Sequence, residues 1–502
     1  MLNPSMPPCA PADRRGFHAT AWLLILTFLC VLLFPVLLMR GMSLDGVIYA
    51  TVSRNMAVGI GDVWHPAYTA TIPVFYDAPP LAFLLESFFF RLFGDQWWVE
   101  RLYSLITAVP TGVVIVLIWR RLLRHAGDLR VYSWLAIALW VSMPNWSWIY
   151  RHNFLENTLG IFTALAIYGS LHAMENTRWW AAWTALTALS ITAAILSKGP
   201  VGLFPAVSPA LIWLTMRPQS FRKSLLIQLS LVVFLVGFVG LLLTNPAARG
   251  FLSTYFNQQV VNSLQGRRDV VDSKLGQFYL LAALPRDLVL PCAVAVACVI
   301  FARSRAASQS DRGLRGPTVF CLLTAMSASL PIMISPKQTA FYAAPSWPFY
   351  TMALALWCLP AVVSLMTRLT DRVAFPRANR RLQALAGCAI GLTIAMAPFW
   401  VGRFHRDRNV IQDVDRIGQI VNRHSQVTIS PELGQQWGLH AYLYRWYYIS
   451  VQESGRPRYR LEYADRRGTE LAGCTPVDAN LKLFRLYEPA ATASESTQTR
   501  LR

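Results

Sequence analysis

The sequence predicts a polytopic all-α membrane domain followed by a small α+β domain. Three observations lead there. Apolar residues make up 54% of the 502-residue chain and charged residues only 14%, where soluble domains carry roughly 25% charged residues. Long apolar runs recur between residues 19 and 401, with arginines gathered in the short loops between them. After Gly402 the pattern changes to short β-type runs split by Gly and Pro. The net charge of +20 belongs to those loop arginines. It follows the positive-inside pattern and suits anionic headgroups, so membrane lipids are the expected partner and nucleic acid is not. Of the eight cysteines, six lie in apolar runs as small hydrophobes, and no CxxC or metal-ligand spacing occurs.

Residues 1–18 are polar and carry Arg14 and Arg15. The run 19–39 lacks an A-x-A cleavage site, so it reads as a retained signal-anchor with a cytoplasmic N-terminus. Residues 81–93, LAFLLESFFFRLF, are too short to span, below the roughly 17 residues needed, and Glu86 and Arg91 interrupt them. They read as a helix lying in the interface, anchored by Trp97 and Trp98.

Further spans are expected at 102–119, 131–149, 158–173, 179–197, 201–215, 224–243, 277–301, 317–334, 340–366 and 382–401. With 19–39 that makes about eleven. If 81–93 stays in the interface, the arginine-rich loops all fall on the side of Arg14 and Arg15; if it spans, they flip. The first parity puts 42–100, the Arg151–Asn157 turn, 244–275 and the tail from Gly402 on the outer face. The expected organisation is a membrane domain over 1–401, a small outer-face α+β domain over 402–488, and a disordered tail over 489–502. In the second domain, 410–423 reads as helix, and VTIS, AYLYRWYYISV, YRLEYA and LKLFRLY read as β-type.

The polar, aromatic stretch Met42–Pro80 carries Asp45, Asp62 and Asp77. Its DGVIYATVSRNM segment from Asp45, Gly61-Asp62 and Tyr76-Asp77-Ala78-Pro79-Pro80-Leu81 are followed by Arg101-Leu102, Lys198-Gly199-Pro200-Val201-Gly202-Leu203, Leu284-Pro285, and Ser335-Pro336-Lys337 with Tyr342 and Pro345. In that order and at those topological places, they resemble the aminoarabinose transferases, the lipid A-modifying relatives of protein O-mannosyltransferases. The resemblance covers roughly residues 20–360. It implies a GT-C fold and a glycosyltransferase that moves a hexose or pentose from a polyprenyl-phosphate donor to an envelope acceptor such as lipid A, with inversion, in the bacterial inner membrane.

The chemistry agrees. Inverting transfer needs a nucleophile on one face of the sugar and a leaving phosphate on the other. A carboxylate can act as base for the first, and Lys or Arg can neutralise the second. Through the resemblance, Asp45 becomes the candidate catalytic carboxylate, although an Asp ahead of a helical segment also serves as an N-cap. Glu156 stands where the family carries a second Asp; its other reading is a carboxylate at a helix start, favoured by the dipole. Asp77 falls where the family often reads Glu-Lys-Pro-Pro, and Ala78 replaces that lysine. Arg54, Arg151, Lys198, Lys337 and Tyr342 complete the candidate substrate and phosphate contacts, with snorkelling as the alternative for Lys198. Arg267 and Arg268 could meet an anionic acceptor or form a solvated pair. No cofactor beyond the lipid-linked donor is implied, and no metal site is indicated. A protein O-glycosyltransferase is the in-class alternative, and a transporter or flippase the reading from another class. Transporters favour inverted repeats and mid-membrane charges, whereas here the charges gather at span ends.

Overall fold

The computed structural model describes residues 11–268, 275–302, 307–372, 374–455, 457–465 and 473–489. In chain order the helices begin with α1 (Pro11–Leu37), α2 (Leu44–Ala57), α3 (Leu81–Phe93), α4 (Val99–Leu122), α5 (Ser133–Val141), α6 (Pro144–Arg151), α7 (Leu155–Glu175), α8 (Trp180–Lys198), α9 (Ser208–Met216) and α10 (Phe221–Leu243). They continue with α11 (Pro246–Tyr255), α12 (Asn262–Leu264), α13 (Tyr279–Ala302), α14 (Ala307–Ser329), α15 (Trp347–Thr370), α16 (Phe375–Ala395), α17 (Ala397–Trp400), α18 (Arg408–Ile420) and α19 (Trp437–Tyr447). Five strands follow Gly402: β1 (Gln426–Ile429), β2 (Ser450–Gln452), β3 (Tyr459–Tyr463), β4 (Cys474–Val477) and β5 (Phe484–Pro489).

Two compact units result. The larger comprises the residues up to Leu38, Tyr76–Ala82 and Arg101–Val401; the smaller comprises Met39–Phe75, Phe83–Glu100 and the residues from Gly402. Most of the 42–100 stretch, which the sequence assigned to the membrane domain, therefore groups with the segment after Gly402.

Among the described residues, seven helices are long and apolar enough to cross a membrane, and eight if α6 and α7 count as one broken span. The sequence suggested about eleven. Against the count of eight, the difference lies in three places. The 131–149 run is divided into α5 and α6, because Met143 precedes Pro144 and takes an extended conformation. The 201–215 run becomes a 3-10 turn, Pro200–Val207, followed by the short α9. The last run starts earlier, at Phe375, and brings Arg377, Arg380 and Arg381 into α16. The core of the larger unit is aromatic, with Trp119, Trp146, Trp347 and Phe349 fully buried.

In the smaller unit the sheet order is β2-β1-β3-β5-β4. β1 pairs in parallel with β2 and with β3, and β5 pairs antiparallel with β3 and β4. Parallel neighbours need a crossover, which α19 supplies between β1 and β2. Ile411, Val414 and Ile417 of α18 recur at helical spacing and pack with Val427, Ile429, Leu461 and Leu486 from the sheet. Each such buried aliphatic side chain contributes roughly 1.5–3 kcal/mol. The AYLYRWYYISV run, read as strand, is mostly helix. Its aromatics also satisfy the helical period, and Tyr442 and Trp446, four apart, stack with centroids 4.8 Å apart. Only Ser450–Gln452 of it is extended.

Candidate functional site

In the larger unit three chain segments converge on the Lys198 ammonium. The first is the start of α7. α6 and α7 meet at 111°, and Asn153 in the break has a left-handed backbone, φ 56°. Asn157 braces the bend by donating to the Ile149 carbonyl and to Ser104 Oγ, both at 2.9 Å. This places Glu156 in the first turn of α7 with its side chain fully buried. The second segment is the end of α8, where Lys198 is the last helical residue. Lys198 Nζ donates to Glu156 Oε1 in an ion pair. The third is a 3-10 helix, Ala340–Ser346. Lys198 Nζ lies 4.7 Å from the Tyr342 ring centroid and 5.7 Å from that of Phe341, and Phe341 in turn packs on Phe154 at 4.4 Å. A cation over an aromatic face gains electrostatic attraction, more so when partly desolvated. So Glu156, Lys198 and Tyr342, named separately from the sequence, form one cluster.

The turn after Lys198 requires glycine. Gly199 has φ 83°, and a Cβ there would lie 2.0 Å from the Tyr255 hydroxyl oxygen. Tyr255 ends α11 and its hydroxyl donates to the Lys198 carbonyl at 3.5 Å. Burial pushes the Tyr255 phenol up, with Arg268 opposing the rise and Asp77 adding to it. A π-helix, Phe256–Val261, follows directly; such segments are frequent at functional sites. From it Gln259 donates to the exposed Asp77 carboxylate, and Phe251 of α11 packs on Tyr76 at 5.3 Å. The long 244–275 segment is thus fixed to Lys198-Gly199 and to Tyr76-Asp77. Tyr255 and Gln259 were not foreseen: they lie 57 and 182 residues from their partners, and no local motif marks them. Lys274, a further cation in the sequence of the 244–275 segment, lies outside the described residues.

The remaining candidates of this unit are placed less tightly. Arg151 closes α6 and is half-buried, and its Nε has no partner among the described residues. His152 is fully buried against Trp148, with centroids 4.0 Å apart. Lys337 is half-buried in the turn before the 3-10 helix, its backbone N donating to Ser335 Oγ at 3.3 Å. Gln338 ties the same turn to the start of α13 by accepting from the Leu280 N–H at 3.2 Å. Ala78, at the position of the family lysine, is buried.

Asp45 and Arg54 belong to the smaller unit. Ser43, extended at φ −60° and ψ 152°, takes the N-cap position of α2, so Asp45 is not the cap but a half-buried acid in the first turn. Arg54 lies in the last turn of α2. Its side chain is fully buried; it donates to Asn55 Oδ1 at 3.0 Å, Asp95 Oδ2 at 3.1 Å, and the carbonyls of Tyr444 and Arg445 at 3.0 and 3.2 Å. Its guanidinium sits 3.8 Å from the Tyr448 ring centroid. Every guanidinium nitrogen is thus engaged within the smaller unit, and the side chain has no exposed surface. Arg445 completes this network through Asp95 and Glu100, the latter at 2.9 Å. Asp62 Oδ1 accepts from the backbone N–H groups of Trp64 and His65 at 2.7 and 2.9 Å, which closes a local turn. Among the described residues no three His, Cys, Asp or Glu side chains gather as a metal site would need.

The larger unit is a bundle of membrane-length helices with a broken α6–α7 span, and the smaller unit is α+β. Residues 77–243 match the family model of the dolichyl-phosphate-mannose-protein mannosyltransferases. The fold is similar to that of ArnT from Cupriavidus metallidurans in the apo state, with a TM-score of 0.63 at 18% identity over 93% of this chain and 98% of that one. The structure of the same ArnT bound to undecaprenyl phosphate gives a TM-score of 0.63 at 16% identity over 94% and 99%. An uncharacterized protein of Aquifex aeolicus is 25% identical over 300 residues, 58% of this chain and 56% of its own length. A second is 30% identical over 155 residues. The chain thus spans about half the length of the first of these curated relatives and a third of the second. The chain shares the fold of ArnT, and about a third of it, residues 77–243, is similar to the mannosyltransferase family.

Proposed function

We propose that the protein is an integral membrane glycosyltransferase that moves a sugar from a polyprenyl-phosphate donor to an envelope glycan such as lipid A, with inversion at the anomeric carbon. The observation that carries this reading is the Lys198 cluster: an ammonium at the end of a membrane-length helix, held by a buried carboxylate and an aromatic face. An ammonium has three donors, so one paired with Glu156 can still contact a lipid-linked phosphate. ArnT, whose fold is similar, binds undecaprenyl phosphate.

In this reading the acceptor oxygen attacks the anomeric carbon as the bond to the donor phosphate breaks. Lys198 neutralises the charge that grows on the departing phosphate, with Arg151 and Lys337 as further cationic contacts and Tyr342 as the ring on which Lys198 rests. Glu156 acts through Lys198, as the counter-ion that fixes its position. Asp77 supports the 244–275 segment through Gln259. Asp45 is the proposed acceptor-side carboxylate. For a hydroxyl acceptor it takes the proton; for a phosphate acceptor, already largely ionised with a second pKa near 6, it orients. The membrane setting is the bacterial inner membrane with the tail from Gly402 on the periplasmic side.

Lipid A mass spectrometry of cells with and without the gene tests this, alongside Asp45→Asn. The sugar mass should vanish from lipid A in both the deletion and the variant, with the variant folded in detergent; near-normal transfer by the variant would remove Asp45 from the reaction. The family model over 77–243 favours one second reading, a protein acceptor. It predicts an unchanged lipid A and a mass loss on surface glycoproteins.

A further inference from the structure

We propose that the smaller unit carries a binding cleft for an uncharged oligosaccharide, lined by Asn422, Ser425, Gln426, Gln452, Arg458 and Tyr459. The cleft has a volume of about 490 Å³, within the usual range for small-molecule sites. It is built on the three parallel strands. Gln426 opens β1 and pairs with Ser450, Gln452 pairs with Thr428, and Tyr459 pairs with Val427. Side chains fixed on paired strands hold a more defined geometry than loop residues do.

The lining chooses the ligand class. Asn422, Gln426 and Gln452 each present an amide with both donors and an acceptor, and Ser425 adds a hydroxyl. Among the described residues none of these four side chains is hydrogen-bonded to another protein group. Groups of this kind match the alternating donors and acceptors of neighbouring sugar hydroxyls, and the Tyr459 ring offers an apolar face for the C–H side of a pyranose. The cation in the lining is already matched: Arg458 Nε donates to Glu488 Oε1 at 2.7 Å and the guanidinium lies 5.3 Å from the Tyr459 ring centroid. A phosphate or carboxylate ligand would have to share that guanidinium with Glu488; a neutral polyol would not. An apolar ligand would leave the amides unpaired, at a cost of about 1–3 kcal/mol for each group removed from water.

This cleft lies in a different unit from the Lys198 cluster, and its occupancy can be measured without any transfer reaction. The full-length protein in nanodiscs, free of glycoside detergents, is titrated with two soluble probes. One is a neutral hexose oligosaccharide such as maltohexaose; the other is its phosphorylated counterpart. Saturation-transfer NMR and calorimetry should show saturable binding of the uncharged probe. The Gln426→Ala/Gln452→Ala variant should bind it about tenfold more weakly, about 1.4 kcal/mol, with an unchanged melting temperature. Lys198→Ala should bind it as the parent does, which separates failure of this inference from failure of the transfer reading. No saturable binding of the uncharged probe, equal binding by the double variant, or binding of the phosphorylated probe alone would each overturn the proposal.

Discussion

At the scale of single residues, Lys198 and Glu156 gain their meaning from each other. Glu156 is fully buried and Lys198 nearly so, so removing either leaves a charge without its partner, at about 3–5 kcal/mol. This separates two roles in one experiment. Lys198→Ala should both raise the KM for the lipid-phosphate donor and lower the melting temperature. Lys198→Ala/Glu156→Gln should restore much of the melting temperature while donor use stays impaired. Recovery of donor use in the double variant would reduce Lys198 to a structural partner of Glu156. The two residues could be named from the sequence, Lys198 from its Lys-Gly-Pro turn and Glu156 from its place after a polar turn. Their pairing could not, because it depends on the 111° bend between α6 and α7. Arg54 shows the opposite case. In sequence it is one more cation beyond the first span, yet its partners lie at Asp95 and at residues 444 and 445, beyond the reach of any local pattern.

At the scale of elements, the Arg54–Asp95–Arg445–Glu100 network joins α2, the turn before α4, the first turn of α4, and α19. Burial alone would raise the Asp95 carboxyl, but Arg445 and Arg54 hold it below its ordinary value of 3.8. A depressed folded value gives stability that is present above the unfolded value and lost as pH falls through the folded one. The smaller unit should therefore keep its melting temperature down to mildly acid pH and lose it below about pH 4. Arg445→Met should flatten that acid dependence and cost about 3–5 kcal/mol at neutral pH through the unpaired Asp95 and Glu100; thermal melts of the two proteins across pH would check it. A variant with an unchanged acid profile would show that Asp95 is not held by this pair. Elements were legible where one period dominated. α3 occupies 81–93 as the sequence indicated, and α18 and strands β1, β3 and β5 fall where their runs suggested. The 441–451 run misled because its aromatics fit both the strand and the helix period, and docking against the rest of the smaller unit decided for helix.

At the scale of the whole molecule, the arginine-rich loops and the short α3 set the expected sidedness. Reporter fusions after residue 405 should read periplasmic, and fusions in the Arg120–Arg130 loop cytoplasmic. A cytoplasmic signal after residue 405 would mean that the parity argument fails and that α3 crosses the membrane. The division into units was the least legible feature. The chain was expected to break once, near residue 401, because composition changes there. Instead the smaller unit draws on Met39–Phe75 and Phe83–Glu100 as well, since α2 packs with α19 and shares its core through Met42 and Val47.

That shared core also sets a clock. Arg54 is translated 390 residues before the Tyr444 carbonyl that accepts from it. At synthesis rates of about 5–20 residues per second, the first half of the smaller unit waits roughly 20–80 s for the second. Through that interval α2 is without α19, and the Arg54 guanidinium is without its carbonyl partners. A chain cut short at residue 401 would never end the wait. It would leave Met42, Val47 and Arg54 uncovered, and cellular quality control would meet it as an unfinished protein even though its membrane helices were complete.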